Sequence, residues 1–224
     1  MRIGMYLLRR HTFLYSLYWS VMYLVLVGFL VSFEVFGPWI LQTPSASAWS
    51  LAVNVAPGWF AFVMGIITAS SHMPIAIANG VTRRDFSIGA GVFALATVCL
   101  FEILKMVGLA VEALVFHATG LMDRLTVPFP WPTVGGVLSD MAKGLGFMLS
   151  GWLIALVFYR LRIWWALLLA PLAGIPLSGG MELISYEATW SLELHWTFLG
   201  GIVAVSAVVA YLAAQGLAVK PKKA

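Results

Sequence analysis

Residues 13–36 form one continuous apolar run, and five more follow at 57–78, 88–117, 137–159, 163–177 and 196–217. Runs of this kind leave few folds open. About 20 apolar residues in helical form cross the hydrocarbon core of a bilayer. A helix suits that setting because it bonds its own backbone polar groups internally. A transmembrane barrel needs alternating strands of about ten residues, and these runs do not alternate. Composition agrees: 62% of residues are hydrophobic and 10% charged, and the mean hydropathy is +0.96. A soluble domain runs near half apolar and about a quarter charged. The sequence therefore predicts an all-α, polytopic membrane protein. It is a single domain over residues 1–224 with six transmembrane helices.

The charges set its orientation. The formal net charge is +4, but the basic residues punctuate apolar spans and form no polar domain, which excludes nucleic acid as a partner. Ten of the thirteen, namely Arg2, Arg9, Arg10, Arg83, Arg84, Arg160, Arg162, Lys220, Lys222 and Lys223, fall on one side of the predicted spans. The positive-inside rule makes that side cytoplasmic, with both termini inside. Arg124, Asp123, Glu182, Glu187 and Glu193 fall outside, and Asp85 inside. The first span is too long for the apolar core of a signal peptide, so it reads as uncleaved despite Ala46-Ser47-Ala48 downstream. Residues 1–10, with Arg2 and Arg9 on one helical face, suit a short interfacial helix. The alternative is a plain basic flank. The segment 178–195 reads as one or two amphipathic helices on the outer surface.

No P-loop, HExxH or GxSxG pattern is present, so the chain shows none of these signatures of ATP binding or hydrolysis. The histidines lie apart in sequence: His11 and His72 toward the inner face, His117 and His195 toward the outer. Cys99 reads as a small buried hydrophobe. Two charges, Glu102 and Lys105, fall near the middle of the third span, where each alone would cost on the order of 3 kcal/mol. Their i, i+3 spacing lets them neutralise each other. They line a translocation path or subunit interface, or they fix helix packing. Glu112 sits nearer the outer end and is expected to face water. Small residues four apart in the last span, Gly200 and Ala204, then Ser206, Ala210 and Ala214, predict close helix approach.

The stretch Ala78-Asn79-Gly80-Val81-Thr82-Arg83-Arg84-Asp85-Phe86 links the second and third spans. Gly80 suits a left-handed helix stop. Thr82 and Asp85 have capping-box spacing. Two arginines in the first turn of a helix oppose its dipole. This Gly-Val-Thr-Arg-Arg-Asp-Phe turn resembles the one in permease subunits of type-2 ABC exporters, as does the six-span layout with its basic N-terminus. The resemblance implies that Gly80, Thr82, Arg83, Arg84, Asp85 and Phe86 form a coupling helix docking a separate P-loop ATPase, which binds ATP and Mg. It also implies export across a bacterial plasma (inner) membrane by a dimer with a second permease copy or paralogue. The alternatives are a self-sufficient channel or secondary transporter, and a non-transporting membrane assembly protein.

Overall fold

The computed structural model describes residues 2–40, 47–125, 127–161, 164–166 and 192–215. Its long elements are α1 (Arg2–Ile40), α2 (Ala48–Ile67), α3 (Met73–Ala78), α4 (Arg83–Ala118), α5 (Val134–Arg160) and α6 (Leu192–Gln215). A π-helical turn, Thr68–His72, joins α2 to α3, and a 3-10 turn, Met122–Arg124, follows α4. No strand occurs among the described residues.

Four helices are long and apolar enough to cross a membrane: Ile3–Gly28, Ala56–Ala78, Arg83–Ala118 and Val134–Tyr159. Large apolar side chains such as Phe13, Leu24 and Leu114 point outward from them, the pattern of a membrane-embedded protein, whose helices meet lipid rather than water. Six spans were expected. The fifth, 163–177, lies almost wholly outside the described residues, as does 178–195. In the sixth, the apolar stretch is the shorter Val203–Gln215. The expected interfacial helix over residues 1–10 is not a separate element. From Arg2 onward the chain is α1, 39 residues without a break, because Leu7 and His11 are buried in the bundle and Gly4 lies against Gly89 of α4.

Helix directions follow from the contacts. Gly4 meets Gly89, Tyr15 bonds Thr97 at 2.9 Å, and the Tyr23 hydroxyl donates to the Leu104 carbonyl at 2.8 Å, so α1 and α4 run parallel. Phe86 with Trp152 and Lys105 with Asp140 make α4 and α5 antiparallel, whereas Trp59 beside Phe147 and, further along, Gly65 between Met148 and Trp152 make α2 and α5 parallel where Gly65 and Gly151 cross. At that crossing a Cβ on Gly151 would lie 2.0 Å from the Phe62 carbonyl oxygen. Only a residue without Cβ lets the two backbones meet there. On α6, Ser206, Ala210 and Ala214 of the small-residue ladder are buried, whereas Ala204 is exposed.

Aromatic rings fill the space between α1, α2 and α4. Tyr18 stacks on Phe60 at 4.3 Å and Tyr23 on Trp49 at 5.3 Å, while Phe101 meets Trp19 edge-on at 5.5 Å. Offset and edge-to-face pairs of this kind add about 0.5–1.5 kcal/mol each beyond area burial. Pro74 has no N–H to offer the Ser70 carbonyl, and the helix passes this point through the π turn. There the Thr68 hydroxyl donates back to the Met64 carbonyl and the Ser70 hydroxyl to Ile66, each at 2.7 Å. Cys99 is exposed on α4, contrary to the expectation of burial. Its position turns it off the face that packs on α1 and α5.

Candidate functional site

The turn after α3 is built from backbone bonds. Gly80 N–H donates to the Ile77 carbonyl and Val81 N–H to Ala76, each at 3.0 Å. These are the two bonds of a Schellman stop, and Gly80 takes the left-handed conformation it requires, φ +82°. Thr82 then caps α4. Its hydroxyl accepts from Asp85 N–H at 3.1 Å and donates to the Asp85 carboxylate at 2.7 Å. In a full capping box the acid reaches the cap's own N–H. Here the shorter aspartate engages the hydroxyl instead.

The two arginines part company. Arg83 donates from Nη1 to the carbonyl of Gln215, the final residue of α6, at 3.0 Å. A cation there meets the negative end of the α6 dipole, which compensates its place at the positive end of α4. Arg84 is exposed, and no ion pair involves it among the described residues. Phe86 is 1% exposed and meets Trp152 of α5 edge-on at 6.4 Å. Of the six residues singled out at this turn, then, Phe86 is core and Arg83 ties two helices together. Gly80, Thr82, Arg84 and Asp85, with Asn79 beside them, form the open surface. The Arg83 bond also puts the end of α6 beside the start of α4, at the same end of the bundle as the start of α1.

The Glu102 and Lys105 pair is half of a larger cluster. Their charges are 3.9 Å apart, while the Lys105 ammonium donates directly to the Asp140 carboxylate of α5. Lys143 lies 3.7 Å from the other Asp140 oxygen. The four charges alternate in sign and sum to zero. They border a cavity of about 60 Å³ between α2, α4 and α5, closed by Pro57, Phe101 and Phe147. Asp140 was not anticipated, although Asp140 and Lys143 repeat on α5 the i, i+3 spacing of Glu102 and Lys105 on α4. That repeat was the available signal.

Glu112 does not face water. It is fully buried, accepting from the Ser47 hydroxyl and from Trp49 N–H at 3.2 Å. Ser47 is itself the cap of α2, its hydroxyl accepting from Ser50 N–H at 3.0 Å. Glu112 therefore supplies negative charge to the N-terminus of a neighbouring helix. The indole of Trp49 donates to the Lys105 carbonyl at 2.9 Å, which holds the start of α2 against the charge cluster. His11 and His72, distant in sequence, meet with ring centroids 4.6 Å apart, both buried. His72 Nδ1 is 3.2 Å from the Ile67 carbonyl. No group of three or more His, Cys, Asp or Glu that could hold a metal ion occurs among the described residues.

No protein-family profile, curated protein or solved structure matches this chain.

Proposed function

We infer that this chain is the membrane-spanning permease subunit of an ABC exporter in a bacterial plasma membrane. It works with a second permease copy or paralogue, and ATP and Mg are bound by separate P-loop ATPase subunits. The observation that carries the reading is the 79–86 turn. It breaks a helix sharply, its ends are stapled by a Schellman stop and a Thr82 cap, and it leaves Arg84 exposed with no ion pair among the described residues. Through Arg83 and Phe86 the same turn is joined to α6 and α5. A force applied at Arg84 would therefore reach α3, α4, α5 and α6 together, as indirect coupling requires. The alternative of a self-sufficient channel or secondary transporter is less well served. Its polar path would have to pass a self-neutralised cluster bordering only about 60 Å³ of space.

The test separates docking from packing. Arg84→Glu reverses an exposed charge that makes no ion pair among the described residues, whereas Arg83→Glu would also release α6. Wild-type chain isolated in mild detergent is expected to bring down a P-loop ATPase, and Arg84→Glu to lose it while keeping wild-type thermal stability. A chain that never retains an ATPase, or an Arg84→Glu variant that retains it fully, would refute the reading.

A further inference from the structure

A groove of about 1300 Å³ runs along the outer side of α1, walled by that helix from Met5 to Val27 and by Leu100 and Leu104 of α4. Twenty-three helical residues rise about 34 Å, close to the roughly 30 Å of a bilayer's hydrocarbon core. Most of the lining is apolar or aromatic, and its one charged residue is Arg9, near the N-terminal end. Arg9 is exposed, and no ion pair involves it among the described residues. Beside it Arg10 donates to the Tyr6 hydroxyl at 2.8 Å, and Tyr6 also lines the groove. The Thr12 hydroxyl is turned back onto the Leu8 and Arg9 carbonyls at 3.2 and 3.0 Å, so it adds no unpaired donor to the wall.

We propose that this groove binds an anionic phospholipid, its phosphate on Arg9 beside the Arg10–Tyr6 pair and an acyl chain along α1. The charge pattern selects this occupant. Basic pockets beside membrane helices hold acidic headgroups, each arginine contributing about 1 kcal/mol near the surface, or roughly fivefold in affinity. An apolar trough of bilayer length below such a cation suits a lipid chain. A second copy of this protein fits worse. A two-fold axis along the membrane normal would set Arg9 and Arg10 against their own images, with no acid in the groove to separate them. The inference rests on membrane embedding alone and stands or falls independently of the transporter reading.

The experiment is native mass spectrometry of the full chain released from nanodiscs. The discs contain equal phosphatidylglycerol and phosphatidylcholine with identical acyl chains. Wild type is expected to retain one phosphatidylglycerol in clear preference. Arg9→Gln should cut that preference by roughly fivefold. Arg124→Gln, which removes the same charge outside the groove, should leave it unchanged. Ser16→Trp, filling the trough with Arg9 intact, should also lose the lipid. Equal retention of both lipids by wild type, or an undiminished preference in Arg9→Gln, overturns the proposal. So does efficient disulfide dimerisation of Ser16→Cys in a Cys99→Ala background, which would make the occupant another copy of this chain.

Discussion

Neutralising Asp140 by Asp140→Asn tests whether the charge cluster holds α4 to α5. Asp140 faces two cations, Lys105 in direct contact and Lys143 at 3.7 Å. At an effective dielectric near 20, unit charges about 4 Å apart attract by about 4 kcal/mol. The Lys143 side chain is 34% exposed, so its share shrinks to about 1 kcal/mol or less. Lys105 is 14% exposed and keeps most of its share. Removing one partner of a buried pair costs about 3–5 kcal/mol. Asparagine can still accept one hydrogen bond from Lys105, which places the expected loss near the lower end, about 3 kcal/mol. Glu102→Gln removes a looser contact, 3.9 Å, and also relieves repulsion from Asp140. It should cost only about 1–2 kcal/mol. Reversible unfolding in bicelles, followed by steric trapping, measures both. Lys105→Gln combined with Asp140→Asn should cost less than the two single losses added, because each single variant leaves the other charge unpaired. An Asp140→Asn loss below about 0.5 kcal/mol, or a Glu102→Gln loss that exceeds it, would refute the reasoning. Exchanging the charges of residues 102 and 105 is also informative: it sets a glutamate against Asp140, so the exchange should destabilise.

Two further outcomes follow from the packing. Gly151→Ala places a Cβ 2.0 Å from the Phe62 carbonyl oxygen, so α2 and α5 must move apart by more than an ångström. Thermal unfolding should show a loss of about 3 kcal/mol or more, and a loss under about 1 kcal/mol would mean the helices do not cross there. Glu112→Gln removes the negative charge from the start of α2 and should cost about 1–2 kcal/mol. Hydrogen exchange should speed up at the amides of Trp49 and Ser50 while the amides of α5 stay protected; unchanged exchange at those two amides would argue against the cap.

Much of this architecture was legible in the sequence, and the reasons are local. The run at 57–78 matches the apolar helix Ala56–Ala78, and the runs at 88–117 and 137–159 lie inside α4 and α5. Hydropathy reports those spans because each residue's preference for lipid is read independently of its neighbours. Gly80 and Thr82 were legible for a similar reason: a left-handed stop and an N-cap are satisfied within a few residues. Residues 48–56 were less visible. They read as loop, yet they form the first turns of α2, because Ser47 caps the helix and Glu112, 65 residues away on α4, accepts from the Ser47 hydroxyl and the Trp49 N–H. The face shared by Arg2 and Arg9 suits a surface helix or a plain basic flank alike for the first ten residues; burial of Leu7 and His11 makes them part of the continuous helix α1.

At the candidate site the division is sharper. The spacing of Glu102 and Lys105 disclosed a pair, but not that Lys105 is held by Asp140, 35 residues away. The arginines of the turn showed a charge opposed to a helix dipole, but not the carbonyl of Gln215, 132 residues away, that receives one of them. By itself the sequence determined that this chain is helical, apolar and built to lie in a membrane, and where its 79–86 turn begins and ends. Only the tertiary structure decided which charges neutralise each other, which arginine of the turn is tied to another helix, and that Glu112 is a cap rather than a surface acid. Hydropathy, periodicity and capping act over a few residues and are written along the chain. A charge in a low-dielectric interior takes whichever opposite group or helix end the packing brings within about 4 Å, and that neighbour is set by how whole helices fit together.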